Sequence, residues 1–316
     1  MLRIARILFP TDFSACSNHA FPYAERLAQR YGAELHMLHA LALHAADPAD
    51  PAHRFPEVEE VTLGTTDGGD GAATTSGVRV FHAQQRGFSA ASVILDYAVE
   101  HHIDLIVMGT HGRRGLRRFV MGSVAEEVVR FARCPVLTVR EDEKTKTSGD
   151  FRRIVAPVDF SQHSRLAVSH ARELASALKA RLDLLHVVHE VVYPDFYFPS
   201  TIRPLGAQEL REEAIRRLEA LLESTEGPPV EGETAAVVGS VAHEIARYAK
   251  EKDADLIVIA SHGLTGILDV LLGSVTERVV RQAPCSVLTL KATGKSLLEV
   301  GEGTGEGRNG RAQAAK

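Results

Sequence analysis

The chain has 316 residues, 45% hydrophobic and 24% charged, with a net charge of −5. That length supports two domains with cores of their own, and the mild negative charge offers no global field to nucleic acid or an anionic membrane. Three cysteines cannot staple a secreted scaffold, and no apolar run approaches the roughly 18–20 residues of a membrane span.

In chain order, an apolar strand runs into Pro10-Thr11-Asp12-Phe13-Ser14, after a start too short and too soon interrupted for a secretory leader. The chain is therefore read as cytoplasmic. The helix that follows contains Pro22, which removes a helical hydrogen bond and predicts a kink or a delayed start. A second strand carries Leu38-His39. From about 45 to 77 no second helix is apparent; DPADPAHRFPEVEE and GTTDGGDGAATTSG read as a low-complexity, mobile insert. A fourth strand ends at Gly109, Gly122-Ser123 opens a helix, and 135–139 is a fifth strand. Residues 141–150 (EDEKTKTSGD) have linker composition.

The chain then repeats itself. Ile7 to Ser14 returns as Ile154 to Ser161, 147 positions later, and Asp104 to Val107 returns as Asp255 to Val258 at an offset of 151. Residues 109–139 and 260–290 share 15 identities in 31 positions, so one domain has been duplicated. In the second copy, strands are expected at 153–158, 182–188, 234–238, 255–260 and 286–290. Helices are expected at 161–180, 209–222, 240–252 and 274–281. Short continuous apolar strands alternating with helices predict a doubly wound parallel sheet in each copy. The units are 1–140 and 151–292, and 293–316 reads as a disordered tail.

In such sheets ligands sit beyond the carboxyl ends of the strands. There the first copy reads Gly109-Thr110-His111-Gly112, nine residues, then Gly122-Ser123; the second reads Ala260-Ser261-His262-Gly263, nine residues, then Gly273-Ser274. Gly109 would let a ligand approach the backbone. Gly112 and Gly263 would permit an inward nest of N–H groups. The helix starts would favour a phosphate. The spacing is neither the P-loop nor the dinucleotide fingerprint, so backbone and hydroxyls would do the holding, aided by arginine. The plain alternative is two capping boxes, Ser123 to Glu126 and Ser274 to Glu277.

These motifs, with PTDFS and LIVMGTHGRRG, make the chain resemble the universal stress protein family in its tandem form, over 1–140 and 151–292 without the linker, the tail and most of 45–77. Gly109, Gly112, Gly122 and Ser123 match the G-x2-G-x9-G-[ST] pattern of its nucleotide-binding branch. In the second copy Gly263, Gly273 and Ser274 match, and Ala260 replaces the first glycine. The resemblance implies five parallel strands per domain in the order 3-2-1-4-5, as in adenine nucleotide alpha hydrolase-like folds. It implies ATP, or ADP or AMP, as ligand, with Mg2+ as a companion of the triphosphate. Asp12 and Asp159 would contact the adenosine, and the backbone of Ala40 and Val187 would border the adenine. The phosphates would meet the glycine loops, His111, His262, Ser123 with Val124, and Ser274 with Val275. Pairing of the two fifth strands within the chain is implied too, which would cover edge strands; a homodimer and a protein partner are further expectations.

Arg113, Arg114, Arg117 and Arg118 correspond in sequence to Leu264, Thr265, Leu268 and Asp269 of the second copy; Arg113 and Arg114 are candidates to pair with a triphosphate, so the first copy is expected to be the stronger site. Asp12 and Asp159 could instead cap the first helix or the turn after their strand, but ligand contact is the favoured reading because that strand end faces the crevice. His36 and His39 lie on opposite faces of one strand, as do His186 and His189, which argues against zinc. Cys134 and Cys285 read as packing, and Cys16 near a helix start as packing or a redox thiol. A nucleotide-binding regulatory module is the leading reading. Slow ATP hydrolysis or kinase activity, without a Walker lysine or kinase motifs, and a nucleotide-free dimerisation module are the alternatives.

Overall fold

A computed structural model describes residues 1–42, 59–66, 73–110, 121–140, 151–189, 206–262, 272–291 and 294–299. The first half contains β1 (Arg6–Pro10), α1 (Ala15–Tyr31), β2 (Glu34–Ala42), β3 (Glu59–Thr66), β4 (Ala73–Gly87), α2 (Ala90–Glu100), β5 (Leu105–Gly109), α3 (Ser123–Phe131) and β6 (Val136–Val139). The second contains β7 (Arg153–Pro157), α4 (Gln162–Leu178), β8 (Arg181–Val188), α5 (Ala207–Ser224), β9 (Thr234–Val238), α6 (Val241–Glu251), β10 (Leu256–Ala260), α7 (Ser274–Gln282) and β11 (Ser286–Leu290).

The strands form one eleven-stranded sheet in the order β3-β4-β2-β1-β5-β6-β11-β10-β7-β8-β9. Each half thus contributes a parallel 3-2-1-4-5 block. The blocks meet where β6 and β11 pair antiparallel, with Leu137 opposite Leu288. In addition, β3 pairs antiparallel with β4 at the outer edge, a strand inside the stretch read as a low-complexity insert.

Alternation along β1 shows how both faces are filled. Ile7 and Phe9 pack with Tyr23 and Leu27 of α1 on one face, while Leu8 packs with Tyr97 of α2 and Val128 of α3 on the other. The second half repeats this, with α4 and α5 on the first face and α6 and α7 on the second. Helices on both faces are what a buried parallel sheet needs.

Pro22 neither delays nor shortens α1. The helix starts at Ala15 and spans 17 residues, as α4 does. A buried face that includes Ala20, Tyr23, Ala24 and Leu27 offsets the roughly 3 kcal/mol that an interior proline costs.

The joint between the halves is nearly two-fold symmetric in its chemistry. Arg140 reaches the carbonyls of Arg281 and Ala283 at the end of α7. Its counterpart Lys291 reaches those of Val129 and Arg130 at the end of α3. Each cation meets carbonyls that a helix terminus leaves unsatisfied.

Candidate functional site

The site is built first from the turn after β1. Phe13 adopts φ 60° and its counterpart Phe160 φ 65°, a region that bulky residues rarely enter. The turn is held by Asp12, whose Oδ1 accepts the Ser14 N–H at 3.0 Å, and by Asp159, which accepts from Ser161 at 3.0 Å. The next helix is then capped: Ser14 Oγ accepts the Ser17 N–H at 3.2 Å and Ser161 Oγ that of Ser164 at 3.1 Å. The strands stop at Pro10 and Pro157, so both aspartates lie in the turn, not at the strand end. Their carboxylates hold that turn themselves, a local role.

The turn also places two rings. Phe13 meets His39 edge-on at 4.8 Å. Phe160 lies 4.7 Å from His186 and carries the Arg217 guanidinium 3.9 Å above its ring.

Strand parity locates Ala40 and Val187. Thr11 N–H donates to Leu38 O at 2.9 Å, and Val158 N–H to Leu185 O at 2.8 Å. Two residues further on, Ala40 and Val187 turn their own amide groups toward the same edge, past the point where β1 and β7 have left the sheet. Each half therefore has a backbone edge at the mouth of the crevice, beside the Asp12 or Asp159 turn.

The end of β5 explains Gly109 differently from the ligand-approach argument. A Cβ there would lie 2.7 Å from the carbonyl oxygen of Cys16, so the glycine admits the first turn of α1. Ala260 ends β10 in the second half, where the residue equivalent to Cys16 is His163.

The capping-box reading of α3 and α7 is corrected. The N-caps are Gly122 and Gly273, with φ −68° and −61°, and neither helix has a side-chain cap. Ser123 and Ser274 occupy the first helical position, one residue too late to cap. Ser123 and Val124 are exposed, as are Ser274 and Val275. The first amides of each helix have no partner within the helix, and among the described residues no side chain caps them. Gly122 N–H donates to Thr110 O and Gly273 N–H to Ser261 O, both at 2.8 Å, which ties each helix start to the end of its strand. Glu126 and Glu277 turn instead to Arg130 and Arg281.

His111, Gly112, Arg113, Arg114 and Gly263 lie outside the described residues. His262 is half-buried, its Nδ1 3.0 Å from Ser261 Oγ. The structure thus brings Asp12, Ala40, Gly109, Gly122, Ser123 and Val124 to the carboxyl end of one block, and Asp159, Val187, Ala260, His262, Gly273, Ser274 and Val275 to that of the other. Sequence reasoning missed the capping pairs Ser14/Ser17 and Ser161/Ser164, although their recurrence at the same spacing was a signal. It also missed the contact of Cys16 with Gly109, which has no local signature.

His36 is buried, with Nδ1 2.9 Å from Tyr97 Oη, while His39 contacts Phe13. Among the described residues no group of three or more metal-ligating side chains comes together, and no helix is long and apolar enough to cross a membrane.

Residues 3–140 and 150–291 each match the model of the universal stress protein family. The universal stress protein YxiE of Bacillus subtilis is 33% identical over 151 residues, 45% of this chain and 99% of that protein. A universal stress protein of Mycolicibacterium smegmatis is 28% identical over 305 residues, 90% of this chain and 96% of its own length. Relatives thus occur at the length of one copy and of two. A solved universal stress protein from Archaeoglobus fulgidus shares the fold, with a TM-score of 0.60 at 20% identity, over 92% of this chain and 97% of that one.

Proposed function

The chain belongs to the universal stress protein family, and from that premise we propose that its crevices bind ATP or a related adenine nucleotide, with the first half the stronger site. The observation that carries this reading is the pair of glycine-capped helices. With no side-chain cap among the described residues, the N-termini of α3 and α7 bring amides that no intrahelical bond satisfies, and a partial positive charge, to the mouth of the sheet. The phosphates would meet the N–H groups of Ser123 and Val124 and the Ser123 hydroxyl. Ser274 and Val275 repeat this in the second half, with His262 beside them.

At the other end of the crevice, the amide edge of Ala40 would border the adenine, and Val187 its counterpart. Asp12 and Asp159, already held in their turns, would meet the ribose side. A Mg2+ ion brought by a triphosphate would need one or two carboxylates, which Asp12 could supply. Arg113 and Arg114, matched by Leu264 and Thr265, would add charge to the first site only. Bound nucleotide would change the surface around the crevice that a protein partner meets, so the chain would act as a switch.

Crystals of the full chain grown with millimolar ATP test the reading. It requires phosphate density against the Ser123 and Val124 amides with a purine near Ala40. Crevices filled by solvent or by the chain's own side chains would overturn it.

A further inference from the structure

Past β11 the chain turns back over the joint between its halves, although this stretch reads as part of a dangling end. Lys295 N–H donates to Arg133 O at 2.8 Å, Arg3 N–H to Leu297 O at 2.7 Å and Glu299 N–H to Met1 O at 3.1 Å. Leu2 and Leu298 form an antiparallel bridge. The Lys295 ammonium meets His102 O at 2.8 Å and pairs with Asp104, and the Arg133 carbonyl leaves no room for a Cβ at Gly294. Leu297 is buried in the shared core. All these partners but the core belong to the first half, so the end of the second copy is tied across the joint.

The tie to the second half is His170 of α4, which is 2% exposed. Its Nδ1 lies 2.8 Å from Leu166 O, and its Nε2 lies 3.2 Å from the Leu297 amide nitrogen and 3.3 Å from Ser296 Oγ. These partners fix the tautomer. A carbonyl only accepts, so Nδ1 carries the proton; the Leu297 N–H only donates, so Nε2 must accept. A proton on Nε2 would replace that hydrogen bond with two N–H groups facing each other.

We propose that residues 294–299 are an acid-released clasp, closed on the joint while His170 is neutral and opened when it is protonated. The described surroundings give a cation little compensation beyond the Leu166 carbonyl and the Ser296 hydroxyl. Leu27 of α1, Leu105 of β5, Leu137 of β6, Leu256 of β10 and Leu288 of β11 line the same small cavity as His170. The charged groups near the joint are engaged with one another: the Met1 ammonium lies 3.6 Å from Glu173 of α4, and Lys295 pairs with Asp104. Burial holds the His170 pKa below its ordinary value. The open state therefore binds more protons than the closed one. Closure is complete above about pH 6.5, the ordinary histidine value, and weakens as pH falls below it.

Hydrogen exchange of the full chain between pH 7.5 and 5, corrected for intrinsic exchange rates, tests this. Protection at the Leu297 and Glu299 amides should fall at least tenfold further than protection in β10 does. His170→Gln, which keeps an acceptor near the Nε2 position but does not titrate, should make the clasp insensitive to pH. Three results would each overturn the proposal. They are wild-type clasp protection that does not change with pH, loss that β10 shares in parallel, and the same pH dependence in His170→Gln.

Discussion

Arg281 places its guanidinium 2.7 Å from the carboxylate of Glu126, a residue of the other half. The mirror contact, Arg130 to Glu277, is 3.4 Å, and each arginine also pairs within its own helix, at 3.3 Å for Arg130–Glu126 and 3.2 Å for Arg281–Glu277. Four charges from equivalent positions thus close a ring beside the β6–β11 pairing. As a partly exposed network it should contribute about 1 kcal/mol. Replacing both arginines with alanine should lower the chemical denaturation midpoint, and 1 M salt should shrink the difference from wild type. A variant as stable as wild type at low salt would show that this ring contributes nothing to holding the joint.

Gly109→Ala should destabilise the first half by about 1–3 kcal/mol, because the new Cβ meets the backbone of Cys16 and not a movable side-chain end. Ala260→Gly in the second half should cost less, about 0.5–1 kcal/mol from added backbone freedom. Denaturation of the two variants compares them directly. Equal losses would mean that Cys16 does not set the requirement for glycine.

His36 and Asp183 occupy equivalent positions and should titrate with opposite signs. Burial, reinforced by His101, pushes the His36 pKa down to about 4. Burial raises the Asp183 pKa despite Arg153 at 3.1 Å. A buried neutral histidine makes folding less favourable as pH falls below 6.5, and the loss levels off near 4. A carboxyl with a raised pKa works the other way, gaining stability as it protonates. His36→Phe should therefore flatten the decline of stability between pH 6.5 and 4, removing up to roughly 3 kcal/mol of pH-dependent loss. Urea titrations at several pH values measure this, and an unchanged slope would contradict it.

The duplication and the alternation of strand and helix were readable because PTDFS and VDFS, and the two HG…GS loops, recur at fixed offsets. Strand order and the pairing of the fifth strands came through the resemblance, since apolar strands such as 105–109 and 136–139 do not name their neighbours. β3 (EEVTLGTT) was hidden because the Pro-rich run before it and the Gly-rich run after it set the reading of the whole stretch, and it gains its partner only from β4. Ser123 and Ser274 looked like caps because a capping box is defined by spacing, and that spacing cannot tell the first helical residue from the one before it. The clasp offered only Leu297 and Leu298 in a polar stretch. Its partners Arg3, Arg133 and His170 are more than a hundred residues away.

Calorimetric titration of the full chain with ATP, in wild type and in Ser123→Asp and Ser274→Asp, tests the nucleotide assignment most directly. An acidic residue at the first helical position suits the helix and repels a phosphate, so folding and affinity are separated. The account predicts saturable binding by the wild type. Affinity at the stronger site should fall at least tenfold with Ser123→Asp and little with Ser274→Asp, with melting temperatures unchanged. Wild-type titrations without saturable heat, or ATP affinity untouched by both substitutions, would contradict it.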